Sequence, residues 1–171
     1  MRTVQIGQST LQSTPLKHVI NTLIFTVLVP ATVAGWIPNA IRIGVPASHN
    51  LLLLSLACIL IALGIFIYLH TAFWGFALWG LGTPAPIAPP NKLGVEGLHR
   101  YVRNPMYIGV LLMVLGQAVL FRSMTLLRYA AGFWLAAHLF VLLYEEPALD
   151  RKFGEEYRTY RQRVPRWIPR F

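Results

Sequence analysis

The chain has 171 residues, of which 56% are hydrophobic and only 12% charged, with a formal net charge of +9. A composition so apolar and so poor in charge excludes an ordinary soluble domain and indicates a membrane protein. The basic excess does not point to nucleic acid, because no basic run is interleaved with aromatics on a polar surface. The single cysteine, Cys58, lies in an apolar run, which excludes an intrachain disulfide and any CxxC metal pair. It reads as a small buried hydrophobe, and no metal site is expected.

Residues 1–15 are polar and mostly uncharged, and no small-residue cleavage site follows the first apolar stretch, so that stretch reads as a retained span. It runs from Val19 to Ile37, roughly the length that crosses a hydrocarbon core of about 30 Å. Pro30 predicts a kink within it. Pro38, Asn39, Arg42, Gly44 and Pro46 then punctuate a short connection. A second span covers 51–79 and is long enough to require tilt or an interfacial turn, with Trp74 and Trp79 at its interfacial end. His70 and Thr71 interrupt it, and a histidine here either bonds a neighbouring helix or lines a cavity.

Gly80 to Leu98 is rich in proline and glycine and reads as a loop. Asn104-Pro105 then predicts a helix start, because Asn favours the N-cap and Pro the first helical position. The third span, 105–120, is apolar except for Gln117, with Gly109 and Gly116 allowing close approach of another helix. After Arg122 and Ser123 a fourth span covers 124–144 and contains His138. Beyond Pro147, the residues Leu149, Phe153, Tyr157 and Tyr160 recur at helical spacing opposite charged positions, which predicts an amphipathic helix over 147–163. It suits either the headgroup layer or a cap on the bundle. The expected fold is all-α: one membrane domain over 1–171, a bundle of about four transmembrane helices plus the C-terminal amphipathic helix.

Four spans sort the charges by side. Twelve of the fifteen Lys and Arg residues fall with the termini, and only Arg42, Arg122 and Arg128 fall opposite. That asymmetry predicts a multi-pass integral membrane protein with both termini in the cytoplasm. All six acidic residues lie on the same side as the termini, so the active site is expected there too.

Two stretches carry the chemistry. The helix opening at Pro105 presents unpaired N–H groups and a positive dipole end near Arg100 and Arg103, which suits an anion. The alternative is a basic anchor whose arginines reach to headgroups. Glu145 and Glu146 oppose the dipole at the end of the fourth span and need compensation. They either accept from hydroxyls or an ammonium group, or pair with Arg100 and Arg103 as a structural lock. A cofactor with a carboxylate, an ammonium and a ribose would satisfy both ends, and S-adenosylmethionine fits that description.

The ordered blocks GLHRYVRNPMYIG, EE and FGEEYRTYRQRVPRWIP closely resemble the isoprenylcysteine carboxyl methyltransferase and phospholipid methyltransferase families, over roughly Pro84 to the C-terminus. The family pattern has Arg-His-Pro-x-Tyr where this chain has Arg103-Asn104-Pro105-Met106-Tyr107, so the imidazole is replaced by an amide that does not titrate near neutral pH. The resemblance implies that His99, Tyr101, Arg103, Asn104, Pro105, Tyr107, Glu145 and Glu146 bind S-adenosylmethionine, with Arg103, Glu145 and Glu146 as catalytic residues. It implies a lipophilic or prenylated acceptor that enters from the membrane lipids. Carboxyl O-methylation is the leading expectation and phospholipid amine N-methylation the alternative. Two readings of other classes are an NADPH-dependent membrane reductase, whose phosphate-rich cofactor would want fewer acids at the site, and a non-enzymatic adaptor.

Overall fold

The computed structural model describes Ile24, residues 27–72, Leu93 and residues 95–169, and every regular element among them is helical. Five helices follow in order: α1 (Val27–Ile41), α2 (Leu51–Ala72), α3 (Pro105–Leu120), α4 (Met124–Phe153) and α5 (Glu155–Arg163). A short 3-10 turn, Gly97–Arg100, precedes α3. The start of the first predicted span, the end of the second at 73–79 with Trp74 and Trp79, and most of the Gly80 to Leu98 loop lie outside the described residues.

Helices α2 and α4 are long and apolar enough to cross a bilayer. Only 17% and 22% of their most apolar windows are buried within the protein, so they are not the core helices of a soluble fold. Leu52, Phe66 and Leu143 point outward, as expected of side chains solvated by hydrocarbon. Helices α1 and α3 are apolar but shorter. Local signals explain where the helices begin. Asn50 Oδ1 accepts from the amides of Leu52 and Leu53 at 3.0 and 3.2 Å to open α2, and Ser123 Oγ accepts from the Leu126 amide to open α4.

Antiparallel α2 and α3 form the closest pair. A Cβ on Gly109 would lie 2.8 Å from the Gly64 carbonyl, and one on Gly116 would lie 2.9 Å from the Ala57 carbonyl. Backbone meets backbone there, as the glycines of the third predicted span led us to expect. Tyr68, Val110, Val114 and Ala130 complete the core between α2, α3 and α4.

Prolines shape α1 in an unexpected way. The helix passes through Pro30, where a kink was predicted, and continues past Pro38 to Ile41 instead of ending at Ile37. Pro38 has no N–H for the carbonyls one turn upstream. The helix widens before it into a π turn, Ala31–Trp36, in which the Ile37 amide donates to Thr32 O. The carbonyls of Val33 and Ala34 take their donors from other helices: Tyr129 Oη at 2.8 Å and Gln117 Nε2 at 2.6 Å. Gln117, a polar residue deep in the apolar sequence of α3, thus fastens α1 to the bundle. Gln117→Leu is expected to destabilise the protein by about 1–3 kcal/mol through the stranded Ala34 carbonyl. The check is the thermal unfolding midpoint in detergent, and an unchanged midpoint would mean another donor reaches that oxygen.

The C-terminal region departs from the single amphipathic helix predicted over 147–163. α4 runs on to Phe153, then Gly154 takes φ +52 and breaks the chain into α5. Arg158 bridges the break to Asp150 at 2.9 Å. The aromatic face turns into the protein: Tyr157, Tyr160 and Val164 are buried and pack with Leu93, Val95, Leu149 and Phe153.

Candidate active site

The site forms because residues 164–169 fold back across the start of α3. The Arg103 amide donates to Pro165 O at 3.0 Å, and Asn104 Nδ2 donates to Arg166 O at 3.1 Å. Helix α3 begins at Pro105 as predicted, but the Asn104 side chain does not cap it. That side chain is buried, and its amide is spent on holding the C-terminal strap. A second turn of π-helix, Val141–Glu145, lies just before Pro147 and sets the two glutamates at the end of the span.

Those glutamates point to different partners. Glu146 is buried and accepts from Arg103 Nη1 at 2.8 Å and, in a two-pronged pair, from Arg166 Nε and Nη2 at 2.6 and 2.9 Å. This hydrogen bond holds the Arg166 guanidinium pKa above its ordinary value. Tyr157, also buried, lies 3.2 Å from Arg103 Nη1. Glu145 instead accepts from Tyr107 Oη at 2.6 Å and forms no ion pair among the described residues. Its second oxygen accepts no hydrogen bond among them. Arg103 Nε is likewise buried with no partner. The cluster therefore has a net-positive side, Arg103–Glu146–Arg166, and a negative one, Glu145, each with an unused polar atom.

Residues 52–156 match the phospholipid methyltransferase family model. The chain belongs to that family. It is 34% identical over 82 residues to protein-S-isoprenylcysteine O-methyltransferase B of Arabidopsis thaliana, covering 46% of this chain and 40% of that protein. It is 33% identical over 80 residues to protein-S-isoprenylcysteine O-methyltransferase of Schizosaccharomyces pombe, covering 46% of this chain and 34% of that one. A Haemophilus influenzae protein of uncharacterized function is matched over its whole length at 35% identity, across 37% of this chain. The chain spans well under half the length of the first two relatives.

Within this phospholipid methyltransferase family member, five of the predicted residues, Arg103, Asn104, Tyr107, Glu145 and Glu146, are tied into one network with the C-terminal strap. Pro105 is buried at the helix start. Tyr101 is exposed at the surface, and Arg100 is exposed as well. His99 faces the cap, where its carbonyl accepts from Tyr160 Oη at 2.8 Å. Two residues escaped the sequence reading. Arg166 was visible only as part of the Val164-Pro165-Arg166 block, and nothing in its local pattern assigns it a carboxylate. Trp167 donates to His138 Nδ1 at 2.9 Å and lies edge-on to Tyr107, so it joins the strap to α4 beside the site.

Burial lowers the His99 pKa from 6.5 to about 4, opposed by a hydrogen bond with the Glu96 backbone and assisted by repulsion from His70. The folded protein keeps this imidazole neutral while the unfolded chain protonates it near 6.5. Between those values the unfolded state binds more protons, so stability is expected to fall as pH is lowered from about 6.5 towards about 4. Unfolding midpoints of wild type and His99→Gln across that range check this. The variant should lose part of the slope, and parallel curves would count against it.

Proposed function

We propose that this protein is an S-adenosylmethionine-dependent membrane methyltransferase whose acceptor is the carboxylate of an isoprenylcysteine-like lipophile. The observation that carries the reading is the split of the two glutamates. Glu146 is consumed by two arginines, whereas Glu145 waits at the start of α3 as a carboxylate with one free oxygen. Membership of the family supports it, as does the similarity to the plant and Schizosaccharomyces pombe isoprenylcysteine O-methyltransferases.

The residues fit the cofactor in kind. Arg103 has a buried Nε–H without a partner, suited to a carboxylate, and Glu145 has an oxygen suited to an ammonium or ribose hydroxyl. Arg103, Tyr107 and Glu145 would hold S-adenosylmethionine, and Asn104 and Glu146 would position Arg103 and the strap. When bound, the cofactor supplies an electrophilic methyl group on a sulfonium. Transfer is an in-line displacement that needs alignment and exclusion of water more than proton transfer. A carboxylate acceptor is already the nucleophile, so Glu145 need not act as a base, and the arginine side of the cluster can orient the acceptor. Tyr107 fixes the direction of the Glu145 carboxylate, and the strap closes the site from water.

Four spans, α1 to α4 with α1 and α3 as the shorter ones, would place this cluster and both termini on the cytoplasmic side. The acceptor would then enter laterally between helices. Phospholipid amine methylation is the second reading, favoured by the matched family model. There the ammonium acceptor must lose a proton, and Glu145 is the base within reach of the site.

Membranes containing the protein, incubated with methyl-labelled S-adenosylmethionine, a farnesylcysteine analogue and phosphatidylethanolamine, test both. Label released by mild alkali as methanol marks a methyl ester and supports carboxyl methylation. Alkali-stable label on the phospholipid marks the second reading. No label on any lipophilic species overturns methyl transfer.

A further inference from the structure

We propose that the end of the bundle remote from Glu145 holds an anionic phospholipid in a groove of its own. Helix α3 has 16 residues, which separates its two ends by roughly 24 Å. At the far end the 42–50 connection meets the turn between α3 and α4, where the Ser48 amide donates to Leu120 O at 2.8 Å. Beside that junction lies an open cavity of about 410 Å³, walled by Leu60, Leu115, Val119, Met124 and Leu127 and edged by Arg122. Its neighbours on α2, Ile59 and Leu63, are exposed apolar side chains, so the groove opens towards hydrocarbon rather than water.

Charge decides what would fill it. The Arg42 guanidinium sits 4.4 Å above the Phe121 ring, next in sequence to Arg122. Arg122 itself is exposed and takes φ +46, a backbone region that favours glycine or asparagine. Arg128 is exposed one turn along α4. All six acidic residues of the chain are Glu96 or lie between Glu145 and Glu156, at the opposite end. These three arginines therefore have no carboxylate to neutralise them. An apolar slot edged by Arg122, with Arg42 over the adjoining Phe121 and Arg128 next along α4 from the lining residue Leu127, matches an acyl chain below a phosphate. A zwitterionic lipid would bring its own cation to the same rim and gain less.

The test uses the full chain released from mixed micelles of equal phosphatidylglycerol and phosphatidylcholine and observed by native mass spectrometry. Phosphatidylglycerol should be retained preferentially. Each of Arg42→Gln, Arg122→Gln and Arg128→Gln should lower its retention about five-fold while leaving phosphatidylcholine unchanged. Leu127→Trp, which fills the slot with every arginine intact, should lower retention too. Equal retention of the two lipids overturns the proposal, as does retention indifferent to the arginine variants or to Leu127→Trp. Displacement by inorganic phosphate alone also overturns it, since the acyl chain would then contribute nothing. Because none of these residues belongs to the Glu145 site, methyl transfer should persist in all four variants.

Discussion

Glu146→Ala is expected to destabilise the protein by about 3–5 kcal/mol, because it strands two guanidinium groups that the carboxylate now neutralises. The Arg103 and Glu146 side chains are only 10% and 8% exposed, so water cannot replace the lost partner. Arg166 loses both of its bonds to the carboxylate at the same time, and these are what draw the strap onto α4. Glu146→Gln should fall between wild type and Ala, since an amide keeps the shape but not the charge. Thermal unfolding in detergent measures the loss. Limited proteolysis after Arg163 should accelerate in the Ala variant as the strap lifts, and an unchanged midpoint with an unchanged digestion pattern would show that the triad is not structural.

Glu145→Gln should behave in the opposite way. Its amide oxygen can still accept from Tyr107, so the unfolding midpoint should stay close to wild type. The charge offered to a cationic or hydroxyl partner disappears, and a charge-assisted bond of about 1.5–3 kcal/mol corresponds to a roughly 10- to 100-fold fall in cofactor affinity or methyl transfer. Tyr107→Phe should fall less, because it frees the carboxylate without removing it. Binding of labelled S-adenosylmethionine, measured beside stability, separates the two glutamates. If Glu145→Gln binds and turns over as wild type does, Glu145 is not at the cofactor.

Two adjacent, chemically identical residues are thus expected to divide the work, one holding the fold and the other the cofactor. Nothing in Tyr144-Glu145-Glu146-Pro147 distinguishes them locally. From sequence they form a pair open either to ligand contact or to a lock with arginines. The lock describes Glu146, and ligand contact is the role proposed for Glu145. The lock uses Arg103 as expected, but Arg166 takes the place of the exposed Arg100.

The same division runs through the rest of the molecule. By itself the sequence determined the helical class, the starts of α2, α3 and α4, the glycines where α2 and α3 touch, the gathering of acidic residues at one end, and the family-like blocks. These depend on composition, periodicity and residues a turn or less apart. Only the tertiary structure decided that Asn104 ties down the strap instead of capping its helix, that the aromatic face of α5 is buried, and that Pro38 is answered by Gln117 and Tyr129. It alone assigned Glu146 to arginines 43 and 20 residues away. Those pairings depend on how a donor-rich strap folds back over a helix start, and in an interior with little water a polar group must find whichever partner the packing brings to it.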